Sequence, residues 1–499
     1  MSGVRSWWIG GNPIGMDFAR YLRDRFGDRP LLVESGGRRT WTGASLDAEA
    51  EKWAGLLSSR GVTAGGRVAV LAPNEGAVVA LLFGCWRVGA ALAPLHHRLA
   101  AAELREELER LRPGLLVVGR GFEERAREVE SVSAPTVPLS GTATIEATEG
   151  PGLVRTAGEA TGLILPTGGS TGRPKSAEVS VRALVSNALN TASAWDLRTE
   201  DSGLAAYPFF HTGGWNVLTL PLLSIGGESR LLDRPDPHAI LEEILRGRVT
   251  VLSAVPTTLM DLVELEGFPQ APLDRLRFVK SGGGPSPAWV VERFRERGVP
   301  FYQGYGLTEA GPNLFYSSRD DLERPGTVGR PTPLAELALR TEDGRDADEG
   351  ELWVRGPLVF SGYLGAPEGS EAARVDGWVA TGDVLRRDKD DFYYFVGRRK
   401  QMFKSGGENV YPTEVEAVLE THPAVRECAV VGVPDPRWGE VGCAFVRTSA
   451  DVRDEELVVF LRARLAHFKV PRRFVRVSEI PRTAAGKKDY PRLPRTGAP

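Results

Sequence analysis

Apolar and polar positions along the first part of the chain follow the pattern of a parallel α/β sheet. Residues 67–72 form a short apolar run that predicts a buried strand, and Pro73 predicts the turn after it. Residues 101–112 place leucines at helical spacing and end at Pro113, after which residues 115–118 predict another strand. Strands and helices therefore alternate, as they do when helices connect parallel strands.

The last part of the chain predicts a second, smaller domain. Charged residues crowd between two glycine-containing turns over residues 381–407, which we interpret as a domain hinge. We therefore expect an N-terminal domain at residues 1–397 and a C-terminal domain at residues 398–499. The elements predicted for the latter are those of a small α+β domain: helices at residues 412–419 and 455–465, and strands at residues 428–433, 443–447 and 474–477. Residues 131–152, rich in Ser, Thr, Pro and Gly, predict a connector without regular structure.

Composition excludes several classes of protein. The 499 residues carry 62 Lys and Arg against 65 Asp and Glu, so a net charge of −3 gives no global attraction to nucleic acid or anionic lipid. The 3 cysteines are far apart, which argues against a disulfide framework and a zinc site and fits a reducing compartment. No apolar run approaches the roughly 18 residues of a membrane span, and no signal-peptide core is visible. We expect a cytoplasmic protein without a membrane span.

A stretch rich in glycine and hydroxyl groups follows the apolar residues 163–165. It reads Thr167-Gly168-Gly169-Ser170-Thr171-Gly172-Arg173-Pro174-Lys175. Glycines expose backbone N–H groups, the hydroxyls add donors and the lysine adds a charge, which together suit a polyphosphate. The spacing differs from a Walker A loop and from the GxGxxG of dinucleotide-binding folds. Taken alone, the stretch is equally compatible with a surface loop.

A second segment offers oxygen ligands and an aromatic ring. It reads Gln303-Gly304-Tyr305-Gly306-Leu307-Thr308-Glu309. The adjacent hydroxyl and carboxylate offer oxygen ligands for a Mg²⁺ ion that also binds phosphate oxygens, and the tyrosine ring can stack on a base. The same residues would also occur in a purely structural turn, in which the threonine caps a helix and the glutamate lies in its first turn. On this segment alone, the structural interpretation is favoured.

Two further polar segments follow. Asp383 comes after Thr381 and Gly382, where a carboxylate can bind the hydroxyls of a ribose or can simply be a turn residue. A basic cluster at residues 398–400 then precedes a glycine turn, and it is equally compatible with a solvated surface. Near the end of the chain, Lys487 follows a glycine in a segment without amphipathic pattern.

Together, in this order and at these separations, the four segments resemble the adenylate-forming superfamily, which includes acyl-CoA synthetases, peptide-synthetase adenylation domains and firefly-type luciferases. The resemblance covers nearly the whole chain. It implies an α/β fold with a large, multi-subdomain N-terminal domain containing parallel sheets and a small, mobile α+β C-terminal domain. It also implies that a carboxylic acid reacts with ATP to give an acyl-adenylate, which then forms a thioester with CoA.

The resemblance implies a role for each matching residue. Catalysis falls to Lys487, Thr308 and Glu309, with Thr308 and Glu309 also holding Mg²⁺. The residues implied for ATP are Thr167, Gly168, Gly169, Ser170, Thr171, Gly172, Lys175, Gly283, Gly284, Pro285, Gly304, Tyr305, Asp383 and Arg398. The acid is implied to contact Phe210, His211, Trp215 and Gly306. Gly406 and Gly407 are implied to line the path of the thiol, and Lys400 is implied to be the hinge.

The segment around Phe210 and His211 favours a bulky apolar acid, either aryl, fatty or polycyclic. No acidic residue follows His211 to pair with an α-amino group, which argues against amino acids. The alternative is a ligase that loads the phosphopantetheine of a carrier protein or performs only the adenylation half-reaction. A luciferase-like oxygenase and a non-catalytic nucleotide-binding scaffold are disfavoured, the latter because five residues with implied roles are all present together: Thr308, Glu309, Asp383, Arg398 and Lys487. The expected partners are thus a small carboxylic acid, ATP with Mg²⁺, and CoA.

Overall fold

The structure is a computed structural model that describes residues 17–129, 134–142, 158–167, 175–322, 324–365, 374–483 and 486–494. The α-helices of these residues are α1 (Phe18–Phe26), α2 (Gly43–Ser59), α3 (Gly76–Val88), α4 (Ala101–Leu111), α5 (Glu123–Arg127), α6 (Val181–Ala194), α7 (Thr212–Asn216), α8 (Thr219–Ile225), α9 (Pro237–Leu245), α10 (Pro256–Glu264), α11 (Ala288–Arg295), α12 (Pro412–Leu419) and α13 (Asp454–Arg462). Among these helices, none has the length and apolar character needed to cross a lipid bilayer.

The strands of the described residues are β1 (Pro30–Glu34), β2 (Thr40–Thr42), β3 (Arg67–Leu71), β4 (Ala91–Pro94), β5 (Leu115–Val118), β6 (Thr136–Pro138), β7 (Thr161–Thr167), β8 (Lys175–Ser180), β9 (Ser202–Ala206), β10 (Glu228–Leu231), β11 (Val251–Ala254), β12 (Phe278–Ser281), β13 (Phe301–Gln303), β14 (Phe315–Tyr316), β15 (Thr327–Pro331), β16 (Glu336–Arg340), β17 (Glu349–Arg355), β18 (Gly362–Tyr363), β19 (Arg374–Val375), β20 (Trp378–Arg387), β21 (Tyr393–Arg398), β22 (Phe403–Ser405), β23 (Glu408–Val410), β24 (Val425–Asp435), β25 (Gly439–Thr448) and β26 (Arg473–Arg476). They form four sheets.

Two of the sheets are largely parallel. The first has the order β13-β12-β11-β9-β10-β1-β2, and only its edge strand β2 is antiparallel. The second has the order β18-β8-β7-β4-β3-β5-β6, in which the strands from β7 to β6 are parallel. Strand β8 alone runs the other way, antiparallel to both β7 and β18. The parallel strands of the first sheet end at one common edge, where ligands bind in α/β folds, so the loops after β9, β12 and β13 lie at the same edge. The loop after β4, in the second sheet, meets the loop after β9 where His96 stacks on Phe210.

The other two sheets are mainly antiparallel. The third has the order β14-β15-β21-β20-β17-β16, with β19 paired to β20. The fourth, of order β23-β22-β25-β24 with β26 parallel to β25, carries α12 and α13 and forms its own apolar core. The predicted fold class, a large α/β region followed by a small α+β domain, is confirmed.

The element predictions are mostly confirmed, with two corrections. The helix predicted at residues 101–112 is α4, and that predicted at residues 412–419 is α12 with the same bounds. The helix predicted to reach residue 465 ends at Arg462 as α13, where the chain turns tightly toward His467–Lys469. Residues 131–152 were predicted to have no regular structure, and this is wrong at β6. There the chain pairs with β5, which provides hydrogen-bond partners for its backbone N–H and C=O groups. Residues 131–133 and 143–152 lie outside the described part.

Candidate active site

A glycine turn at the end of β12 forms one wall of the candidate site. Strands β12 and β13 run side by side, with Ser281 opposite Gln303. The Gln303 side chain donates from Nε2 to the Gly284 carbonyl at 2.8 Å, and its Oε1 accepts from the Ser286 N–H at 3.1 Å. Gly283 has a φ of +85°, a conformation that side chains disfavour. The turn predicted to bind adenine is therefore fixed directly to the segment that carries Tyr305 and Glu309.

Asp383 meets Tyr305 and Arg398 in one cluster. Asp383 is buried on β20 and lies opposite Arg398 on β21. The Tyr305 hydroxyl donates to Asp383 Oδ2 at 2.8 Å, and Arg398 Nε lies 3.3 Å from Oδ1. Burial raises the pKa of Asp383, whereas Arg398 and the Tyr305 hydrogen bond oppose that rise. The three predicted ATP residues thus come together from segments almost eighty residues apart.

Glu309 is positioned by a residue that the sequence analysis did not identify. The Tyr363 hydroxyl donates to Glu309 Oε1 at 2.8 Å, and the Lys175 ammonium lies 4.6 Å from the centre of the Tyr363 ring. Burial, followed by the Glu309 charge, raises the pKa of Tyr363, which stays a protonated donor. A carboxylate offers about four lone-pair positions, so this hydrogen bond leaves room for a cation. Glu309 and the half-buried Thr308 therefore fit a Mg²⁺ ion.

Lys487 reaches this cleft from the C-terminal sheet region. A Cβ atom on Gly283 would lie 3.5 Å from Lys487 Cε, and one on Gly486 would lie 3.5 Å from Thr257 Oγ1. Burial of the ammonium, together with Arg398, lowers the pKa of Lys487, and Asp383 and Glu309 partly oppose this. Part of the side chain nevertheless remains exposed at the rim of the cleft. A cation with a lowered pKa thus interacts electrostatically with both predicted carboxylates.

The next residue, Lys488, points into the C-terminal domain. Its ammonium donates to Glu416 Oε2 and to Glu420 Oε1, each at 3.0 Å, and both carboxylates are buried. Tyr490 also donates to Glu416 Oε2 at 3.0 Å. Burial alone would lower the pKa of Lys488, but Glu416 and Glu420 raise it well above its ordinary value. Neighbouring lysines therefore face opposite ways, and Lys488 anchors the turn that carries Lys487.

Histidine and phenylalanine rings line the entrance beside this cleft. We call His96, His97, Phe122, Phe210 and His211 the His–Phe cluster. The rings of His96 and Phe210 stack with centroids 3.9 Å apart, and His97 lies 5.2 Å from Phe210 and 5.4 Å from Phe122. Burial, then Lys487 and His96, lowers the pKa of His211 to about 3, so its imidazole is neutral at neutral pH. Its Nε2 is buried and has no hydrogen-bond partner among the described residues.

The remaining predicted site residues lie at several distinct places. Thr167 and Lys175 face each other across β7 and β8, while Gly168, Gly169, Ser170, Thr171 and Gly172 lie outside the described residues. Trp215 is fully buried, stacked on Phe209 at 4.1 Å, and supports the Phe210 segment from the core. Lys400 lies in an exposed turn after β21.

Gly406 and Gly407 form the two-residue turn between β22 and β23. Both have positive φ, +63° and +91°, as a type I′ hairpin turn requires. A Cβ atom on Gly406 would approach the Trp438 ring at 2.8 Å, whereas one on Gly407 would meet nothing within 4 Å.

Sequence reasoning missed Tyr363, His96 and His97. Only the two histidines had a usable signal. The two histidines follow β4 at the carboxyl edge of a parallel sheet, where functional side chains gather. Tyr363 stands between two glycine-containing motifs, but nothing in its own surroundings shows that β18 pairs with β8 and brings it to Glu309.

Comparison with known proteins identifies the family. A profile described as AMP-binding enzyme matches residues 18–364, and one described as AMP-binding enzyme C-terminal domain matches residues 414–487. The chain belongs to the AMP-binding enzyme family. It is 36% identical to a feruloyl-CoA synthase from an Amycolatopsis species over 93% of this chain and 95% of that protein.

Other relatives agree with this assignment. An indoleacetate–CoA ligase of Aromatoleum aromaticum is 35% identical over 89% of this AMP-binding enzyme and 91% of that protein. The solved structure of o-succinylbenzoate CoA synthetase from Bacillus subtilis, in complex with its acyl-adenylate intermediate, superposes with a TM-score of 0.84 at 30% identity. That match covers 97% of this chain and 99% of the other.

Lys488→Met is expected to destabilise the C-terminal domain strongly. It leaves Glu416 and Glu420 buried without a cation, which costs about 3 kcal/mol or more in the free energy of unfolding. Lys469→Met is the matched control, because its ion pair with Glu414 is partly exposed and contributes at most about 1 kcal/mol. Denaturant unfolding of the three proteins measures the difference. Equal losses in both variants would contradict the anchoring of the turn by Lys488.

His211 makes the stability of the protein depend on pH. Its pKa is about 3 in the folded protein against 6.5 for an ordinary histidine, so the unfolded chain binds a proton first as pH falls. The contribution of neutral His211 to the free energy of unfolding is therefore complete above pH 6.5 and is lost progressively as the pH falls from 6.5 toward 3. Between pH 6.5 and 4.5 the wild type should lose about 2 kcal/mol that His211→Asn does not lose. Unfolding measured across this range tests the difference, and parallel curves would show that His211 titrates normally.

Proposed function

We propose that this chain is an AMP-forming acid–CoA ligase that activates a hydrophobic aryl carboxylic acid with ATP and transfers the acyl group to CoA. One observation carries the proposal. Lys487, from the C-terminal sheet region, lies against Gly283 and close to the carboxylates of Asp383 and Glu309. A cation delivered to a cleft that holds a nucleotide turn and two carboxylates suits the joining of an acid to ATP.

The first half-reaction brings two anions together. The carboxylate of the acid attacks the α-phosphorus of ATP and pyrophosphate leaves, so charge on both reactants must be offset. Lys487 lies where it can bind the α-phosphate and the carboxylate, and Asp383 with Tyr305 and Arg398 holds the ribose. Thr308 and Glu309 would hold Mg²⁺, which when bound supplies electrostatic stabilisation to the phosphate oxygens.

The phosphate loop occupies residues 167–175 in this proposal. Thr167 and Lys175 flank it, and the glycine and hydroxyl residues between them bind the β- and γ-phosphates. Gly284, Pro285 and Gly304 complete the adenine side of the site. The Gln303 hydrogen bonds support this arrangement, because they join the turn after β12 to the end of β13.

The acid is proposed to enter beside the His–Phe cluster. Phe210 and His211 form one side of its site and Gly306 the other, with Trp215 packed behind. A neutral His211 suits this place, because a charged imidazole would compete with Lys487 for the carboxylate. The relatives named feruloyl-CoA synthase, indoleacetate–CoA ligase and 2-succinylbenzoate–CoA ligase all carry the names of aryl acids, which supports an aryl acid here.

The second half-reaction uses the C-terminal domain again. We place this domain at residues 398–499, after an N-terminal domain of residues 1–397, and propose that it rotates about Lys400. The rotation withdraws Lys487 and brings Gly406 and Gly407 to the path of the CoA thiol. The thiol then attacks the acyl carbon and AMP leaves. Closure for the first step also excludes water from the hydrolysable acyl-adenylate.

We place the enzyme in the cytoplasm. Cys85, Cys428 and Cys443 are all buried and free, which suits a reducing compartment. Burial raises the pKa of each of these thiols, so none is predisposed to oxidation.

Product analysis tests the proposed function. The wild-type protein, ATP and Mg²⁺ are incubated with aryl, fatty, polycyclic and amino acids, with and without CoA, and pyrophosphate and acyl products are measured. We expect pyrophosphate and an acyl-CoA with an aryl acid. An acyl-adenylate that never becomes acyl-CoA would instead favour a carrier protein as acceptor, and activity with amino acids alone would refute the substrate class.

Lys487→Ala should separate the two half-reactions. Formation of acyl-adenylate is expected to fall at least 100-fold, because the charge on the reacting anions loses its counterion. Thioester formation from supplied acyl-adenylate and CoA should change less than about threefold. Single-turnover assays of each step measure these rates.

Gly407→Leu is the variant that tests the second half-reaction, as Lys487→Ala tests the first. A side chain there is expected to obstruct the thiol and to slow the second step while adenylation continues. Loss of both steps in either variant would contradict the division of roles between Lys487 and the glycine turn.

A further inference from the structure

Trp289 joins helix α11 to strand β24 of the C-terminal domain. It lies in the first turn of α11 and donates from Nε1 to the Arg426 carbonyl at 3.3 Å. The Arg426 guanidinium lies 5.3 Å from the centre of the Trp289 ring, within the range of a cation–π contact. Both residues are half-buried. One indole therefore contacts one residue of the C-terminal domain twice, through its N–H group and through its ring.

A bulge in β24 makes this contact possible. The register of β24 against β25 shifts between Val425 and Glu427, so Arg426 is an extra residue between two paired positions. A bulge leaves its extra residue outside the ladder and bends the strand, which aims that residue in a new direction. The Arg426 carbonyl accepts from Trp289 at this place. The bulge thus presents Arg426 to α11.

The residue after Arg426 connects this contact to Lys487. Glu427 is buried and forms an ion pair with Arg482. Arg482 also donates from Nη1 to the Gly486 carbonyl at 3.1 Å. Because Gly486 directly precedes Lys487, this hydrogen bond acts on the backbone that presents the lysine to the cleft. The contact with α11 and the placement of Lys487 therefore belong to one continuous set of interactions.

The turn that carries Lys487 is closed by its own backbone. The Thr483 N–H donates to the Lys487 carbonyl at 2.8 Å, and the Gly486 N–H donates to the Thr483 carbonyl at 2.9 Å. A Cβ atom on Gly486 would lie 3.5 Å from Thr257 Oγ1, so the turn packs against the start of α10. A turn closed in this way moves as one unit, and its orientation follows that of Arg482.

Helix α10 adds an electrostatic contact to the same arrangement. Asp261 follows Thr257 by about one helical turn, so the two residues share a face of α10. Burial, followed by the charge of Glu264, raises the pKa of Asp261. Arg482 and Arg447 of the C-terminal domain oppose that rise, so both cations act on this carboxylate. Arg482 is therefore attracted to α10 while it holds the turn.

We propose that Trp289 is a positioning residue for the first half-reaction. Its contact with Arg426 docks β24 on α11, and the adjoining ion pair of β24 then fixes the turn that presents Lys487. The contact is small and half-buried, so it can form for adenylation and break when the C-terminal domain rotates. This inference rests on the proposed function, because it assigns Trp289 to one of the two proposed half-reactions.

Trp289→Ala tests this role through the rates of the two half-reactions. With fewer molecules docked, single-turnover formation of acyl-adenylate should slow about tenfold. Thioester formation from supplied acyl-adenylate and CoA should change less than about twofold, because the rotated domain no longer uses this contact. Trp289→Phe keeps a ring for Arg426 and should restore adenylation to within about threefold of the wild-type rate. Equal slowing of both steps, slowing of thioester formation alone, or no change in either would overturn the role.

Trp353→Ala is the matched control. Trp353 is also half-buried and has the Arg340 guanidinium 4.7 Å from its ring centre, but both residues lie within the third sheet. The ratio of the two rates should therefore stay that of the wild type. A change as large as that in Trp289→Ala would refute the specific role of Trp289, and thermal unfolding identifies any variant that fails to fold.

A double-mutant cycle tests the link through Glu427. Glu427→Gln removes the ion pair with Arg482 while keeping the shape of the side chain, and it should also slow acyl-adenylate formation selectively. Adding Trp289→Ala to this variant should slow the step less than about twofold further, because both changes interrupt one set of contacts. Fully additive losses would overturn the link.

Hydrogen exchange supplies a measurement that needs no substrate. The Gly486 amide, which donates to Thr483, should exchange at least about threefold faster in Trp289→Ala than in the wild type, and at the wild-type rate in Trp353→Ala. Unchanged exchange in Trp289→Ala would overturn the docking. If the wild type forms no acyl-adenylate, the proposed function fails and the catalytic part of this inference fails with it. The exchange rates would still decide whether Trp289 docks the C-terminal domain.

Discussion

The candidate active site depends on a buried cation that takes no part in the chemistry. Lys488 pairs with Glu416 of α12 and with Glu420, the residue that follows this helix, and the pairing holds the Lys488 side chain inside the C-terminal domain. The preceding residue, Lys487, extends instead to Gly283 in the cleft. An ion pair this deep adds little net stability, but either partner alone would be costly, so the arrangement specifies one geometry.

The opposite wall of the cleft depends on small residues. Gly304 lets the Lys280 side chain approach more closely than a Cβ atom would allow, whereas Gly283 is required by its φ of +85° and would meet Lys487 only at an ordinary contact distance. The same absence of side chains leaves amide groups accessible to an anion. Glycine at the ends of two adjacent parallel strands therefore allows the turn that we propose for the nucleotide to pack directly over Lys280.

The sequence predicted what is local and missed what the fold brings together. The apolar periodicity gave α4, β5 and α12 closely, because each is specified by its own face and its own stop residues. The motifs also predicted that Tyr305, Asp383 and Arg398 belong to one site. No spacing rule links Tyr363 to Glu309 or Lys280 to Ser253, since those contacts arise from strand pairing across long separations. Lys488 was likewise ambiguous in sequence, because two adjacent lysines differ only in the surroundings that each meets.

Two lysines lie at the site in different electrostatic surroundings. Lys487 and Lys280 both have lowered pKa values, and in both cases burial is the leading cause. They differ in what surrounds them, since Lys487 lies near Asp383 and Glu309 while Lys280 has only neutral neighbours among its polar contacts. A cation balanced by carboxylates suits anionic phosphate chemistry that all substrates share. Lys280 instead joins the end of β12 to the segment between β13 and β14 through its hydrogen bond to Asn313, so it helps to hold the two strand ends together beneath the glycine turn.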